Sequence, residues 1–314
     1  MLKKLNDLIN KAEVFSPKKA AVVYAGDKLV IEGAVESFKR HIIIPILIGN
    51  KNKIISELKK TGLIGFNLKG IEIIDAENDL SAVQMAVRLV LEKKADIIIK
   101  GYIHTDLLMH QLLHPENGLR TNRFVSHIFL MEIRTYKKLI AITDAAININ
   151  PDIMQKALIL QNAIDVCLIL GIEHPKAAIL SAVETINPKI ASTIDAAVIS
   201  KMAERGQITG GVVDGPLAFD NVISKKAAAE KKINSGVSGN ADIIVVPNIE
   251  SGNILFKDLE YLAGAKVAGI VVGLKVPVVL TSRADNVAAR LYSAAFASIV
   301  SQNYSKFLEY ENKI

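Results

Sequence analysis

Two clusters of polar residues in this 314-residue chain suit the handling of an anion. The first, Thr281-Ser282-Arg283-Ala284-Asp285, lies between the aliphatic run Val276–Leu280 and a helical pattern. Thr281 or Ser282 can cap that helix, whose free N–H groups and dipole attract negative charge. Arg283 adds a planar, permanently charged fork suited to phosphate oxygens. The plainer alternative is a capped helix with a surface arginine paired to Asp285. The second cluster is Gly118-Leu119-Arg120-Thr121-Asn122-Arg123, followed by Ser126-His127. Its two arginines, three apart, could clasp a phosphorylated cofactor or lie in a solvated loop. Other aliphatic runs also end on polar groups: Lys100-Gly101, Thr143-Asp144, Ser181 to Glu184, Asp214-Gly215-Pro216, and Asn248 to Glu250.

Other chemistries lack their residues. His110 and His114 are four apart and His104 is near, but no further ligand is identifiable and the HExxH glutamate is missing, so no metal site is expected. The chain has no GxGxxG, no GxxxxGK[ST] and no GxSxG. Its single cysteine, Cys167, falls on the apolar stripe of a helical pattern, which suits a buried structural thiol.

The elements that must position these residues follow from hydrophobic patterning. Short, continuous Val/Ile/Leu runs recur at Ala21–Ala25, Ile42–Gly49, Ile71–Asp75, Asp96–Lys100, Leu139–Thr143, Ala177–Val183, Gly211–Val213, Asp242–Val246, Val267–Val272 and Val276–Leu280. Such runs read as strands buried on both faces of a parallel sheet. Amphipathic stretches separate them. One carries Ile153, Ala157, Leu160, Ile164, Cys167 and Leu168 on one stripe, and the last covers roughly Asp285–Tyr304. The pattern predicts an α/β protein with mostly parallel sheets and helices on both faces. The length favours two lobes, with ligands in a cleft at the carboxyl ends of strands. The basic stretch Arg134–Lys138 is a candidate crossing. It gives a first domain of 1–138 plus 284–314 and a second of 139–283.

Half of the residues are hydrophobic, which excludes a disordered chain. With no tryptophan and 5% aromatics, a stacking platform for nucleic acid is not expected. The net charge of +6 suits anionic small molecules. No apolar run approaches the ~20 residues of a membrane span. Met1 to Lys19 carries charges throughout and no apolar leader core, so a cytoplasmic protein is expected.

Taken in order, the polar run ends form a series. It comprises Lys100-Gly101 with His104-Thr105, Gly118-Leu119-Arg120-Thr121, Ser126-His127, Ile142-Thr143-Asp144-Ala145-Ala146 and Ser181-Ala182-Val183-Glu184. It continues with Asp214-Gly215-Pro216-Leu217-Ala218-Phe219-Asp220, Val246-Pro247-Asn248-Ile249-Glu250-Ser251-Gly252-Asn253 and Thr281 to Asp285. In type and order, over almost the whole chain, this series resembles the phosphate acetyl/butyryltransferase family. The Gly-Leu-Arg-Thr and Thr-Ser-Arg-Ala-Asp forms look more like its butyryl branch.

The resemblance implies a two-lobed acyltransferase for the reversible reaction of acyl-CoA with phosphate to give acyl phosphate and CoA, with a short, butyryl-like acyl group preferred. It places Ser282 and Arg283 at the reacting centre. The family's acetyl members have a carboxylate base one to two turns into the following helix. This chain has Ala288 and Ala289 there, and the nearest acid is Asp285. Arg120 or Arg123 would hold CoA, with Lys100, Ser126, His127, Thr143, Asp144 and Glu250 completing the CoA and phosphate contacts. CoA is then a substrate, no cofactor is permanently bound, and the partners are acyl-CoA, phosphate and acyl phosphate, in a homo-oligomer. The alternatives are a phosphate acetyltransferase with a smaller acyl pocket, and a non-catalytic module that binds CoA or acyl phosphate. A metal-dependent decarboxylating dehydrogenase would need metal-binding aspartates that the chain does not supply.

Overall fold

The computed structural model describes residues 2–62, 70–282 and 285–309. In chain order the first elements are α1 (Leu5–Ala12), β1 (Lys18–Val23), α2 (Lys28–Lys39), β2 (Ile43–Gly49), α3 (Lys51–Lys60), β3 (Glu72–Asp75), α4 (Asp79–Leu91), β4 (Ile97–Lys100) and α5 (Thr105–Leu113). Next come β5 (Ser126–Glu132), β6 (Ile140–Thr143), α6 (Ile153–Ile169), β7 (Lys176–Leu180), α7 (Ala191–Glu204), β8 (Val212–Leu217), α8 (Phe219–Ile223) and α9 (Lys225–Glu230). The chain continues with β9 (Ile243–Val245), α10 (Ile249–Tyr261), β10 (Lys266–Val272), β11 (Val278–Val279), α11 (Val287–Gln302) and α12 (Tyr304–Leu308). This is the expected α/β alternation. No helix among the described residues is long and apolar enough to cross a membrane.

The chain divides into two units: Asn6–Asn122 with Ala268–Leu308, and Arg123–Val267 with residues 2–5 and 309. These boundaries differ from the expected 138/139 and 283/284. Strand pairing is the reason. β5, absent from the ten aliphatic runs, pairs antiparallel with β6, so Arg134–Lys138 is the turn of a hairpin and not a crossing. β10 pairs with β11, and β11 with β4, so both strands belong with the N-terminal elements.

In the unit that begins at Asn6, the strand order is β3-β2-β1-β4-β11-β10. All neighbours there are parallel except β10 and β11. The buried run Ala20–Val23 sits at the centre, and α2 and α3 close over it through Val30, Ile31, Ala34, Ile54 and Leu58. Asp27 starts α2 by accepting the Leu29 and Val30 N–H groups. In register, Val23 lies beside Lys100 and Ile99 beside Val279, so β1, β4 and β11 finish level. Polar residues that follow these strands therefore gather at one edge.

In the unit that begins at Arg123, the order is β5-β6-β9-β7-β8. Thr143 and Ile179 both pair with Val245, so β6, β7 and β9 also end level. β5 runs the other way, which brings its first residues, Ser126 and His127, to the edge where β6 ends. A capping box between Asp152 and Gln155 starts α6.

Gly101, directly after β4, is a close-approach glycine. A Cβ there would lie 2.2 Å from the Val23 carbonyl oxygen and 2.6 Å from that of Tyr24. The intruding atom meets backbone, which cannot swing aside. Gly101→Ala should therefore destabilise this unit by about 3 kcal/mol or more, at the upper end of overpacking costs. Thermal unfolding checks this, and an unchanged midpoint would show that the two strand ends can part freely.

Candidate active site

At the edge formed by β1, β4 and β11, the centre is a turn between a strand and a helix. Asn286, and not Thr281 or Ser282, caps α11, with its Oδ1 accepting the Ala289 N–H at 2.9 Å. The helix begins later than the sequence suggested because the turn is closed on itself. The Ser282 N–H donates to Asp285 Oδ2 at 2.7 Å, and the Asp285 N–H donates to the Ser282 carbonyl at 3.2 Å. Neither hydroxyl is then used as the cap. Arg283 lies outside the described residues.

Two buried cations stand behind this turn. The Lys100 ammonium donates to the Thr281 carbonyl at 3.2 Å. Arg290, in the second turn of α11, donates from Nη1 to Thr281 Oγ1 at 2.8 Å, from Nη2 to the Ser282 carbonyl at 3.0 Å, and from Nε to the Asp285 carbonyl at 3.3 Å. Burial pushes the Asp285 carboxyl above the usual carboxylate range, against the pull of the Ser282 N–H and the charges of Arg290 and Lys100. Burial lowers the Arg290 guanidinium from its ordinary value, opposed by Asp285 and Asp27.

At the other unit's edge, Asp144 is buried and fully engaged. Its Oδ2 accepts the His127 N–H at 3.0 Å and the Asn148 amide at 2.6 Å, and its Oδ1 accepts the Ala146 and Ile147 N–H groups at 2.9 and 3.0 Å. Burial raises its pKa, and these four donors pull it back. Thr143 Oγ1 donates to the His127 carbonyl at 2.8 Å. Thr143 and Asp144 thus fasten the start of β5 to the end of β6. His127 is fully buried, and neither ring nitrogen has a hydrogen-bond partner. Desolvation lowers its pKa to about 3, so the ring is neutral at physiological pH and packs on Phe129, with centroids 4.1 Å apart. Ser126 Oγ accepts from Asn162 of α6 at 2.9 Å. Glu250 is exposed in the first turn of α10, a helix held close to Ala145 at Gly252, where a Cβ would lie 3.0 Å from the Ala145 Cβ.

The two candidate arginines separate sharply. Arg120 is exposed and belongs to the unit that begins at Asn6, where it bridges to Leu274. Arg123 is buried and ion-paired with Asp165 of α6, whose other oxygen accepts from Gln161 at 2.8 Å. Arg123 is therefore held inside the fold, and Arg120 is the exposed one of the two. Arg290, Asn162 and Asp165 were not foreseen from the sequence. Of these, Arg290 carried a signal, as the one charged residue of α11. Among the described residues no group of three or more His, Cys, Asp or Glu side chains could hold a metal. Cys167 is buried, and desolvation raises its thiol pKa far above neutrality.

The arrangement offers a hydroxyl, a half-buried carboxylate and two cations on one closed turn, which is the equipment for handling an anion and a proton together. Comparison with known proteins finds the following similarities. The family model described as phosphate acetyl/butaryl transferase matches residues 67–298. The phosphate acetyltransferase of Rickettsia felis is 48% identical over 301 residues, 96% of this chain and 85% of the relative. The phosphate butyryltransferase of Clostridium acetobutylicum is 42% identical over 303 residues, 96% of this chain and the whole of the relative. Among solved structures, a branched-chain phosphotransacylase from Enterococcus faecalis superposes with a TM-score of 0.78 at 32% identity, covering 90% of this chain and 99% of that one.

The unlike settings of Arg120 and Arg123 have unlike consequences. Arg123→Met strands the Asp165 carboxylate in a buried site and should cost about 3–5 kcal/mol of stability. Arg120→Met removes an exposed charge and should leave stability within about 0.5 kcal/mol of the parent. Denaturant unfolding of both variants checks this. Equal stabilities would mean that Asp165 finds water or another partner.

Proposed function

The chain belongs to the phosphate acetyl/butyryltransferase family, and on that premise we propose how its own residues carry out the transfer and which acyl group it prefers. The protein is a phosphate acyltransferase. Acyl-CoA and phosphate exchange to acyl phosphate and CoA. A phosphate oxygen attacks the thioester carbonyl, the C–O bond forms, and the C–S bond breaks with the electron pair leaving on sulfur. The thiolate then takes the proton released by phosphate. The reverse reaction runs the same steps backward.

The observation that carries this assignment of roles is the closed turn from Thr281 to Asp285, with Lys100 and Arg290 behind it. Ser282 donates to the oxyanion of the tetrahedral intermediate, a contribution of about 10²–10³ in rate for one such donor. Arg283 and Lys100 provide positive charge for the phosphate oxygens. Arg120 provides an exposed cation for the phosphates of CoA. Asp285 moves the thiol proton. Its Oδ2 is held by the Ser282 N–H while its pKa is raised towards neutrality, where a base works best. Asp144, Thr143, Ser126 and His127 shape the second unit's edge, and Glu250 lies at the start of α10 beside it. No permanently bound cofactor is needed for this route. A cytoplasmic homo-oligomer is the expected working form.

For the acyl group we favour a short butyryl-like or branched chain, on the Gly-Leu-Arg-Thr and Thr-Ser-Arg-Ala-Asp forms of the motifs. The relatives include acetyltransferases and butyryltransferases, so the acetyl reading is the second one. The test is kcat/KM for acetyl-, propionyl-, butyryl-, isobutyryl- and valeryl-CoA at fixed phosphate. In a fitted apolar pocket a methylene contributes ~1–3 kcal/mol, so butyryl-CoA should exceed acetyl-CoA by at least about tenfold. If acetyl-CoA is best, the acetyl reading replaces ours. If no acyl-CoA turns over with phosphate, the assignment itself fails.

The raised pKa of Asp285 gives a signed pH dependence. A base works deprotonated, so in the thiol-to-thioester direction kcat should fall as pH drops through the Asp285 pKa. That limb should lie above the range of an ordinary carboxylate. Asp285→Asn should lower the plateau and abolish the limb. A limb unchanged in the asparagine variant would assign the proton to another group.

A further inference from the structure

Arg290 is buried, carries the one charge of its helix, and donates three hydrogen bonds into the turn that holds Ser282. We propose that Arg290 is the positioning residue of the transfer reaction: it fixes Ser282 and Asp285 relative to each other, and it touches neither substrate. The proposal rests on the roles given above to Ser282 and Asp285.

The geometry supports it in three ways. First, the three acceptors are successive anchor points of one turn: the Thr281 hydroxyl, the Ser282 carbonyl and the Asp285 carbonyl. One rigid, planar group therefore ties Thr281 and Ser282 to Asp285. A guanidinium suits this because its donors diverge at fixed angles in one plane, whereas an ammonium has a single nitrogen. Second, the fold makes room for the side chain. Gly33 of α2 faces it, and a Cβ at Gly33 would lie 2.9 Å from the Arg290 Cβ and 3.1 Å from its Cδ. The remaining space beside it, lined by Val30, Ile43, Ile99 and Ala294, has a volume of only about 10 Å³, so Arg290 has little freedom to move. Third, Arg290 neutralises the setting in which Asp285 sits. Arg290 is buried and Asp285 half-buried, and each shifts the other towards its charged form.

A residue that sets the spacing of a reacting hydroxyl and a base acts on kcat far more than on substrate binding. A misplacement of about 1 Å typically costs about 10² in rate. The experiment uses the full chain with Arg290→Met, Arg290→Lys and Gly33→Ala. Read-outs are kcat and KM for acyl-CoA and phosphate, the thermal midpoint, and hydrogen exchange of the segment 281–286. Arg290→Met should lower kcat by about 10² while both KM values stay within about threefold. Arg290→Lys should recover less than a tenth of the lost rate, because one ammonium cannot span three acceptors. Gly33→Ala leaves the guanidinium in place but presses on its stem, and it should lower kcat in the same direction by a smaller factor. Exchange of the Ser282 and Asp285 amides should quicken in Arg290→Met, with α11 still protected.

A folded Arg290→Met variant with kcat within threefold of the parent would overturn the proposal, as would unchanged exchange at 281–286. Should Arg290→Met fail to fold, Gly33→Ala decides, and an unaltered kcat in that variant overturns it. If the parent chain shows no phosphate-dependent acyl transfer, the functional reading fails by itself, and the exchange measurement still reports whether Arg290 holds the turn.

Discussion

A charge taken out of water must be given partners, and each unit of this protein is arranged around that requirement. An isolated buried ion costs several kcal/mol, so buried ions persist only where polar groups already point at them. The ends of parallel strands supply such groups, because the ladder stops and the last carbonyls and the next N–H groups are left over. Lys100 and Arg290 take the carbonyls and hydroxyl of the turn after β11. Asp144 takes the N–H groups of the turn after β6 and of β5. The same hydrogen bonds that solvate the ion also tie the chain after the strand to the fold.

The aliphatic strands were legible in the sequence because burial on both faces leaves an unbroken apolar signal. Ala20 to Val23 and Ile97 to Ile99 are of this kind. β5 was not, since it opens on Ser126 and His127, whose polarity looks like a loop: Asn162 satisfies the serine hydroxyl, whereas the histidine ring is buried with no hydrogen-bond partner. β11 was legible only as a run longer than the observed strand, for its pairing is limited to Val278 and Val279. The unit boundaries were hidden for a related reason. They depend on which strands pair, and pairing is a long-range fact.

The site divides along the same line. Residues at the ends of strands could be picked out as candidates by position alone. Arg120 and Arg123 could not be separated by type or spacing, because the difference between them is Asp165, which lies 42 residues further along the chain. Arg290 escaped for the opposite reason. Its own pattern is visible as a lone charge in an apolar helix, but its partners are fixed by tertiary closure against Gly33. In both cases a buried cation was the informative feature, and the sequence shows only that a cation is present.

The same accounting separates the two acidic residues that follow strands β6 and β11. A proton acceptor needs a lone pair that is not already committed. Asp144 has both oxygens filled, two donors on each, and protonating it would break bonds that hold β5 to β6. Its carboxylate is a joint. Asp285 accepts a single N–H among the described residues, on Oδ2, and burial raises its pKa, as it does that of Asp144. The fold thus places two carboxylates in similar positions after a strand and surrounds them with different numbers of donors. The one with fewer partners is the one we propose as the base.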